Sequence, residues 1–195
     1  MKGILIFFCL LLLLAMYEVS VQAQIHSQEP PESSDPIAFD LGIRQMRMNM
    51  MPDFRYKYDD YLQYSPAVVM VGIKALGYQG RSGWRRMIVS NLFSVGVMTA
   101  VTNAVKYSVR RLRPDKTTRN SFSSGHTATA FMAATMLHKE YGWRSPWFSI
   151  GGYTAAAIVG VSRIMNNRHW ATDVLAGGAI GVGSVHLGYF LSDLI

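Results

Sequence analysis

Residues 174–191, VLAGGAIGVGSVHLGYFL, form an apolar run without a charged side chain. The run lacks the alternation of polar and apolar residues that marks a half-buried strand, so we predict a helix. It has the length and purity expected of a helix that crosses a bilayer. Gly177, Gly181 and Gly188 suit close packing against neighbouring helices. The run therefore indicates a helical protein that is associated with a membrane.

Four further apolar segments are rich in alanine, glycine, valine, methionine and leucine, and lack strand alternation. Their cores are residues 66–77, 88–106, 126–138 and 148–162. They are short or carry polar side chains such as Lys74, Asn91 and Asn103, which are costly in lipid unless they face a bundle interior or a site. By length and purity, only residues 174–191 qualify as a bilayer span. We predict an all-α fold, an up-and-down helical bundle embedded in a membrane.

The composition limits the partners that the protein can have. Of the 195 residues, 50% are hydrophobic and only 16% are charged, and the formal net charge is +7. Such a basic balance suits nucleic acid, an anionic phosphate substrate or an anionic lipid surface.

The N-terminus has the pattern of a targeting segment. Lys2 precedes an apolar run over residues 4–16, and small residues lie before Gln24. This pattern predicts a signal peptide over residues 1–23, with a first transmembrane helix as the alternative. Either way the chain enters or crosses a membrane, so we exclude cytosolic nucleic-acid binding. Cys9 is the only cysteine and lies inside this segment, so a cleaved chain would have no disulfide.

The rest of the chain divides into two parts. Residues 24–63 combine a linker and an amphipathic segment: residues 24–40 are polar and proline-rich, whereas residues 41–63 mix methionines, aromatics and charges. The amphipathic segment either lies along a membrane surface or packs on the domain as a short helix. Residues 64–195 form the predicted helical domain.

The first group of charges is KYSVRRLRP at residues 106–114. Lys106 and Arg113 are seven positions apart, so on a helix that continues to Pro114 they share a face. Arginine offers a planar fork that matches phosphate oxygens, and lysine adds a point charge. This group predicts a phosphate-binding loop, and the alternative is a positive loop that flanks a membrane helix.

The second group is SFSSGHTATAF at residues 121–131, where a helical pattern begins. Ser124 and Gly125 stand at the helix start, where backbone N–H groups can hold an anion. His126 then lies at the mouth of this predicted anion site. The alternative is an ordinary serine N-cap beside a hydrogen-bonded histidine.

The third group is SRIMNNRHWATD at residues 162–173, between two apolar segments. Arg163 supplies a phosphate donor. His169 and Asp173 are four positions apart, so on a helix they lie one turn apart on one face. A carboxylate there can hold the imidazole in one tautomer, which leaves the other ring nitrogen to act as a nucleophile. The alternatives are a structural hydrogen bond and half of a metal site, for which we find no matching second pair of ligands.

The second and third groups are separated by two helices, at residues 126–138 and 148–162. In an up-and-down bundle both polar junctions therefore lie at the same end. Three cationic side chains, two histidines and one carboxylate would converge there. We predict an active site at this end of the bundle.

The three groups resemble the signature of the type-2 phosphatidic acid phosphatase superfamily, which also includes bacterial non-specific acid phosphatases and vanadium haloperoxidases. The family pattern is Lys-x6-Arg-Pro, then Pro-Ser-Gly-His, then Ser-Arg-x5-His-x3-Asp. Residues 106–114, 123–126 and 162–173 match it at all but one position, within a resemblance that covers residues 88–191. Ser123 stands where the family usually has proline.

The resemblance implies a role for each matching residue. His169 would attack phosphorus and carry a phosphohistidine intermediate, and Asp173 would orient it. His126 would protonate the leaving oxygen and later activate water. The phosphoryl oxygens would be held by Lys106, Arg113, Arg163, Ser124 and the Gly125 amide. The family needs no metal for hydrolysis, so we expect neither a metal nor a cofactor.

We expect a phosphatase that removes a phosphate group from a lipid headgroup. Lipid A, phosphatidic acid, phosphatidylglycerol phosphate and polyprenyl diphosphate all qualify, and the compact chain most resembles the bacterial lipid A phosphatases of this family. With an exported N-terminus, the loop at residues 107–125 faces the periplasm from the bacterial inner membrane, and the basic residues 80–86 are cytoplasmic. A soluble periplasmic acid phosphatase is the second hypothesis. Vanadate-dependent halide oxidation is the third, although the chain is short for that scaffold.

Overall fold

Helices build the part of the chain that a computed structural model describes, residues 35–195, and no strand occurs in that range. In chain order they are α1 (Ala38–Met50), α2 (Asp59–Leu62), α3 (Ser65–Ala75), α4 (Trp84–Val109), α5 (Gly125–Tyr141), α6 (Pro146–Met165) and α7 (Ala171–Ser192). The all-α prediction is confirmed. The signal peptide or transmembrane helix predicted at residues 1–23 lies outside the described residues.

Five helices, α3 to α7, form the bundle that the apolar segments predicted. α7 packs against α4 and α5, and α5 also packs against α6 and α3. Each predicted core lies within one helix, except that α3 ends at Ala75, two residues before the end of the 66–77 segment. Residues favoured at helix starts begin α6, where Ser145 is the N-cap and Pro146 is the first helical residue. The Ser145 hydroxyl accepts a hydrogen bond from the Trp147 amide at 3.4 Å.

The glycines of α7 permit its close contacts with the neighbouring helices. A Cβ at Gly181 would overlap the carbonyl oxygen of Ala128 on α5. A Cβ at Gly188 would lie 2.5 Å from the backbone of α4, and one at Gly177 would lie 2.5 Å from the carbonyl oxygen of Ser124. The prediction that these three glycines allow close packing is therefore confirmed.

Three of the described helices, α4, α6 and α7, are long and apolar enough to cross a membrane. Less than half of the apolar stretch of each of these helices is buried inside the bundle. Side chains such as Leu92, Ile158 and Leu175 point outward with large exposed fractions. The prediction that only residues 174–191 qualify is wrong. The reason is that α4 has 26 residues and α6 has 20, so both extend beyond the apolar cores on which that prediction was based.

A polar cluster around the buried Glu140 closes the end of the bundle where α3, α5 and α7 end. The Tyr189 hydroxyl donates to Oε1 at 2.8 Å, and the Ser82 amide donates to Oε2 at 2.9 Å. Lys74 Nζ donates to the Ser82 carbonyl oxygen at 2.5 Å. Lys74, which seemed costly for a membrane helix, is thus hydrogen-bonded inside the bundle.

The segment before the bundle packs on the opposite end, where α6 ends and α7 begins. α1 contacts both helices, and the buried Arg47 donates from Nε to the Met165 carbonyl oxygen at 2.9 Å. The Asn166 side chain pairs with the backbone N–H and C=O of Tyr56 at 3.0 and 2.7 Å. Residues 41–63 thus include a helix packed on the domain, and that this segment lies along a membrane surface stays a prediction. Because α1 begins at Ala38, the last three residues of the predicted linker are helical.

Candidate active site

The turn between α6 and α7 places His169 at this end of the bundle. The carbonyl oxygen of Arg163 accepts hydrogen bonds from two amides of the turn, including that of His169 at 3.3 Å, and Asn167 is left-handed with φ 57°. α7 begins at Ala171, so the prediction that His169 and Asp173 share one helix face is wrong. The two side chains still lie close, with 3.6 Å between Nδ1 and Oδ2.

Hydrogen bonding selects the tautomer of His169. Its Nδ1 lies 2.7 Å from the carbonyl oxygen of Ser121, which can only accept a hydrogen bond. The proton is therefore on Nδ1, and the lone pair of Nε2 is left for attack. Burial lowers the pKa of His169 to about 4, while Asp173 raises it and Lys106 lowers it further. The ring is thus neutral near pH 7, as a nucleophile must be.

The carboxylate of Asp173 binds several donors besides facing the histidine. Its Oδ2 accepts hydrogen bonds from the Trp170 amide at 2.9 Å and from the Ser121 hydroxyl. Its Oδ1 accepts from Arg111 Nη1 at 2.9 Å. The carboxylate is held by these donors close enough to His169 to stabilise a positive ring. The Ser121 carbonyl oxygen, which the sequence analysis missed, orients the neutral ring.

Arg111 connects this carboxylate to α1. Its Nη1 donates to Thr172 Oγ1 at 2.6 Å, and its Nη2 donates to Asp40 Oδ2 at 2.6 Å. Asp40 also accepts a hydrogen bond from the Thr172 amide at 2.9 Å. Arg111 and Asp40 are 5% and 1% exposed. In the sequence Arg111 looked like one of several loop cations, but it lies between two buried carboxylates.

The helix that carries Lys106 ends before Pro114, the residue at which the sequence predicted its end. α4 ends at Val109, and Arg110 adopts a left-handed conformation as its C-cap, so Arg113 lies in the following loop. The prediction that Lys106 and Arg113 share a helix face is wrong for this reason. Both cations nevertheless act on the same imidazole, since each lowers the pKa of His169.

Lys106 and Arg113 differ in their contacts. Lys106 Nζ donates to the carbonyl oxygens of Ser123 and Asn120, at 2.8 and 3.2 Å. Arg113 Nε is buried and has no hydrogen-bond partner among the described residues. Burial lowers the pKa of Arg113, and neighbouring arginines lower it further. A half-buried cation whose Nε is a buried and unpaired donor is suited to an anionic ligand.

α5 begins at Gly125 with a serine N-cap, where the sequence predicted a helix start, and this N-cap beside a hydrogen-bonded His126 is what the alternative described. Ser124 is the N-cap and its hydroxyl accepts from the Thr127 amide at 3.4 Å, while its own amide donates to the Asp173 carbonyl oxygen at 3.0 Å. A Cβ at Gly125 would meet no heavy atom within 4 Å. The Cα of Gly125 thus borders open space, and an anion at the Gly125 amide stays a prediction.

His126, in the first turn of α5, is paired with a carboxylate of α2. Its Nε2 lies 2.9 Å from Asp60 Oδ1, and Arg163 Nη1 donates to the buried Asp59 Oδ2 at 2.7 Å. Burial lowers the pKa of His126, Arg163 lowers it further, and Asp60 raises it. Neither aspartate was predicted as a site residue, because both lie in a segment whose only signal in the sequence is amphipathic character.

Asp59, Asp60 and His126 bring ligand atoms within 4.8 Å of one another, a spacing that could hold a metal ion. Asp59 is already paired with Arg163, and Asp60 is paired with His126. These pairings satisfy the carboxylates without a metal. That the reaction needs no metal stays a prediction.

The predicted site residues all lie at the end of the bundle where α4 and α6 end and α5 and α7 begin. They are His126, His169, Asp173, Lys106, Arg113, Arg163, Ser124 and Gly125. The structure adds Ser121, Arg111, Asp40, Asp59 and Asp60 to this set through the hydrogen bonds described above.

Comparison with known proteins supports a common family. The PAP2 superfamily matches residues 88–193, more than half of the chain. A Lipid A 1-phosphatase from Porphyromonas gingivalis is 50% identical over 157 residues, which are 80% of this chain and 35% of that protein. The chain therefore spans about a third of the length of this curated relative.

Two solved structures have a similar fold. The crystal structure of Aquifex aeolicus LpxE matches with a TM-score of 0.59 and 20% identity, over 78% of this chain and 95% of that one. A transmembrane PAP2 type phosphatidylglycerolphosphate phosphatase from Bacillus subtilis matches with a TM-score of 0.58 and 20% identity, over 94% and 96%. The signature residues at one end of the bundle and the match over residues 88–193 agree: the chain belongs to the PAP2 superfamily.

Proposed function

We propose that this protein is a membrane-embedded phosphatase that removes a phosphate group from a lipid headgroup through a phosphohistidine intermediate. The observation that carries the proposal is a neutral His169 whose Nε2 is left for attack and whose ring feels the charges of Lys106 and Arg113. Phosphoryl transfer depends on positioning and on neutralising charge at the phosphoryl oxygens. This arrangement supplies both requirements.

The reaction proceeds in two steps. In the first, His169 Nε2 attacks phosphorus, a P–N bond forms, and the bond to the leaving oxygen breaks while His126 protonates that oxygen. In the second, His126 takes a proton from water, the water oxygen attacks phosphorus, and the P–N bond breaks to release inorganic phosphate. Asp173 stabilises the ring of His169 while it is positive.

Buried donors support a phosphate cradle formed by Lys106, Arg113, Arg163, Ser124 and the Gly125 amide. Within the described part of the chain, Nε of both Arg113 and Arg163 is buried and has no hydrogen-bond partner. An unsatisfied buried donor costs about 1–3 kcal/mol. The oxygens of a bound phosphate would supply acceptors at this site.

The substrate in this proposal is lipid A, and the group removed is its 1-phosphate. The support is the 50% identity to the Lipid A 1-phosphatase of Porphyromonas gingivalis. A net charge of +7 also suits an anionic headgroup. All of the candidate lipids are anionic, so it is the identity to this relative that ranks lipid A above phosphatidic acid, phosphatidylglycerol phosphate and polyprenyl diphosphate.

The location in this proposal is the bacterial inner membrane, with the site facing the periplasm. α4, α6 and α7 support a membrane protein rather than a soluble periplasmic phosphatase. Arg81, Arg85 and Arg86 lie at the end of the bundle opposite the site. Positive charge is typical of the cytoplasmic side, so these arginines favour a periplasmic site end. The basic loop at residues 107–119 breaks this rule at the site end, and we assign its charge to binding of the anionic substrate.

Purified protein in detergent micelles tests this function with lipid A as the substrate. We expect release of inorganic phosphate and, by mass spectrometry, loss of one phosphate group from the 1-position. His169→Ala should abolish turnover and the phosphoenzyme without unfolding the protein, because the nucleophile is removed. Turnover by this folded variant would refute the assigned nucleophile. Activity on phosphatidylglycerol phosphate but not on lipid A would keep the reaction and reject the substrate.

A further inference from the structure

Two aspartates of α2 contact the active site, although α2 precedes the region that matches the family. Asp60 Oδ1 lies 2.9 Å from His126 Nε2, and Asp59 Oδ2 lies 2.7 Å from Arg163 Nη1. The family match begins at residue 88. One short turn therefore reaches both the proposed acid and one of the proposed phosphate ligands.

We propose that Asp60 is a positioning residue for the proton transfers of His126. This inference rests on the proposed function, in which His126 acts first as an acid and then as a base. Asp60 engages Nε2, so Nδ1 is the ring nitrogen that exchanges a proton with the leaving oxygen and with water. A carboxylate on one imidazole nitrogen fixes the orientation of the ring and stabilises its protonated form.

The two aspartates are suited to different tasks. The Asp59 side chain is 1% exposed and its carboxylate pairs with Arg163, so it holds a cation in place. The Asp60 side chain is 46% exposed and that of His126 is 32% exposed, so this pair lies on the open side of the site. Asp60 Oδ1 is 4.0 Å from Arg163 Nη1, which is too far for a hydrogen bond. The close partner of Asp60 is therefore the histidine.

The charged groups that face His126 act in opposite directions. Burial lowers the pKa of His126, Arg163 on α6 lowers it further, and Asp60 and Asp59 on α2 raise it. Removing the Asp60 carboxylate should lower this pKa again, because the imidazolium loses its partner. The protonated form, which the first step requires, is then lost at a lower pH.

Asp60→Asn in the full chain tests the inference through kinetics. We expect kcat/KM for lipid A to fall at least tenfold at neutral pH, on the order of a weakened acid–base contribution. The alkaline limb of the pH profile should move to lower pH, and Asp60→Glu should restore part of the rate. Asp53→Asn removes an exposed carboxylate from the same segment and should behave as the parent does. A parent-like pH profile in Asp60→Asn would overturn the inference.

The leaving group separates a positioning role from a merely structural one. 4-Nitrophenyl phosphate releases a weakly basic phenolate, which needs little help from an acid. Asp60→Asn should therefore lose much less rate with this substrate than with lipid A. Equal losses on the two substrates would indicate general damage to the site and would contradict a role in proton transfer.

Histidine titration by NMR provides a readout that does not depend on turnover. In protein without substrate, the pKa of His126 should be lower in Asp60→Asn than in the parent and in Asp53→Asn. If the parent is active and the pKa of His126 is the same in Asp60→Asn as in the parent, the role of Asp60 is refuted while the proposed function stands. A parent without phosphatase activity on any lipid phosphate would instead refute the proposed function.

Discussion

His169 owes its reactive state to two neighbours with separate tasks. The carbonyl oxygen of Ser121 accepts a hydrogen bond from Nδ1–H, with 2.7 Å between the nitrogen and the oxygen, and Oδ2 of Asp173 lies 3.6 Å from Nδ1. Burial keeps the ring uncharged, with a pKa of about 4. The nucleophile is therefore neutral before attack, and the carboxylate stabilises it most once the ring has become positive.

Arg113 offers a direct test of the phosphate cradle. Its Nε is buried without a hydrogen-bond partner among the described residues, and in the proposed function it donates to a phosphoryl oxygen. Arg113→Ala should lower kcat/KM about a hundredfold to a thousandfold, as the loss of a donor to developing charge does elsewhere. Steady-state assays with purified variants would measure this effect.

Arg119→Ala is the matched control for that measurement. Arg119 is exposed in the same loop, and its removal causes the same change in net charge. We expect its kcat/KM to stay within about twofold of the parent, because solvent screens an exposed charge and leaves it little effect on substrate binding or turnover. Similar losses in the two variants would mean that Arg113 attracts anions only through its charge.

The close contacts of α7 with its neighbouring helices depend on which of its positions are glycine. Gly181 faces the backbone of α5, whereas Gly183 is open, since a Cβ there would meet no heavy atom within 4 Å. Gly181→Ala should lower the free energy of unfolding by about 2 kcal/mol, because the backbone of α5 must move. Thermal unfolding in detergent would show a lower Tm for this variant.

Gly183→Ala should leave the Tm unchanged or raise it slightly, because alanine favours a helix by about 1 kcal/mol over glycine. This control shares the chemistry of the change and the helix, and differs only in what the new methyl group meets. A Tm for Gly181→Ala as high as that of this control would contradict the close approach of α5 and α7.

The helices could be predicted from the sequence because apolar patterning is local. The end of α4 could not, since the left-handed conformation of Arg110 stops the helix before Pro114 does. The lengths of α4 and α6 were also underestimated, because their ends lie beyond the apolar cores. Local pattern therefore predicted which segments are helical better than it predicted where they end.

The catalytic signature could also be predicted, since its residues keep a fixed spacing within each group. The aspartates that pair with it could not. Asp60 is 66 positions from His126, and Asp40 is 71 positions from Arg111, so only tertiary packing brings them together. No periodicity relates such distant positions, and that is why all of the missed carboxylates come from the N-terminal segment.

The molecule as a whole presents apolar helices to its surroundings. With α4, α6 and α7 across the bilayer, the protein should stay in the membrane pellet after an alkaline carbonate wash, because burial of these helices in lipid outweighs loss of surface charge contacts. Immunoblots of pellet and wash would measure this. A soluble periplasmic protein should appear in the wash as a control, and release of this protein with it would contradict an integral membrane protein.

Because α1 and α2 pair with arginines of the catalytic bundle, the bundle depends on the segment that precedes it. Arg111 is buried between Asp40 and Asp173, and removing one partner of such a pair costs about 3–5 kcal/mol. A hybrid that joins residues 64–195 to the leading segment of a distant relative would therefore leave buried charge uncompensated. Exchanges among relatives should succeed only where the incoming segment supplies a carboxylate to Arg111 in the place of Asp40.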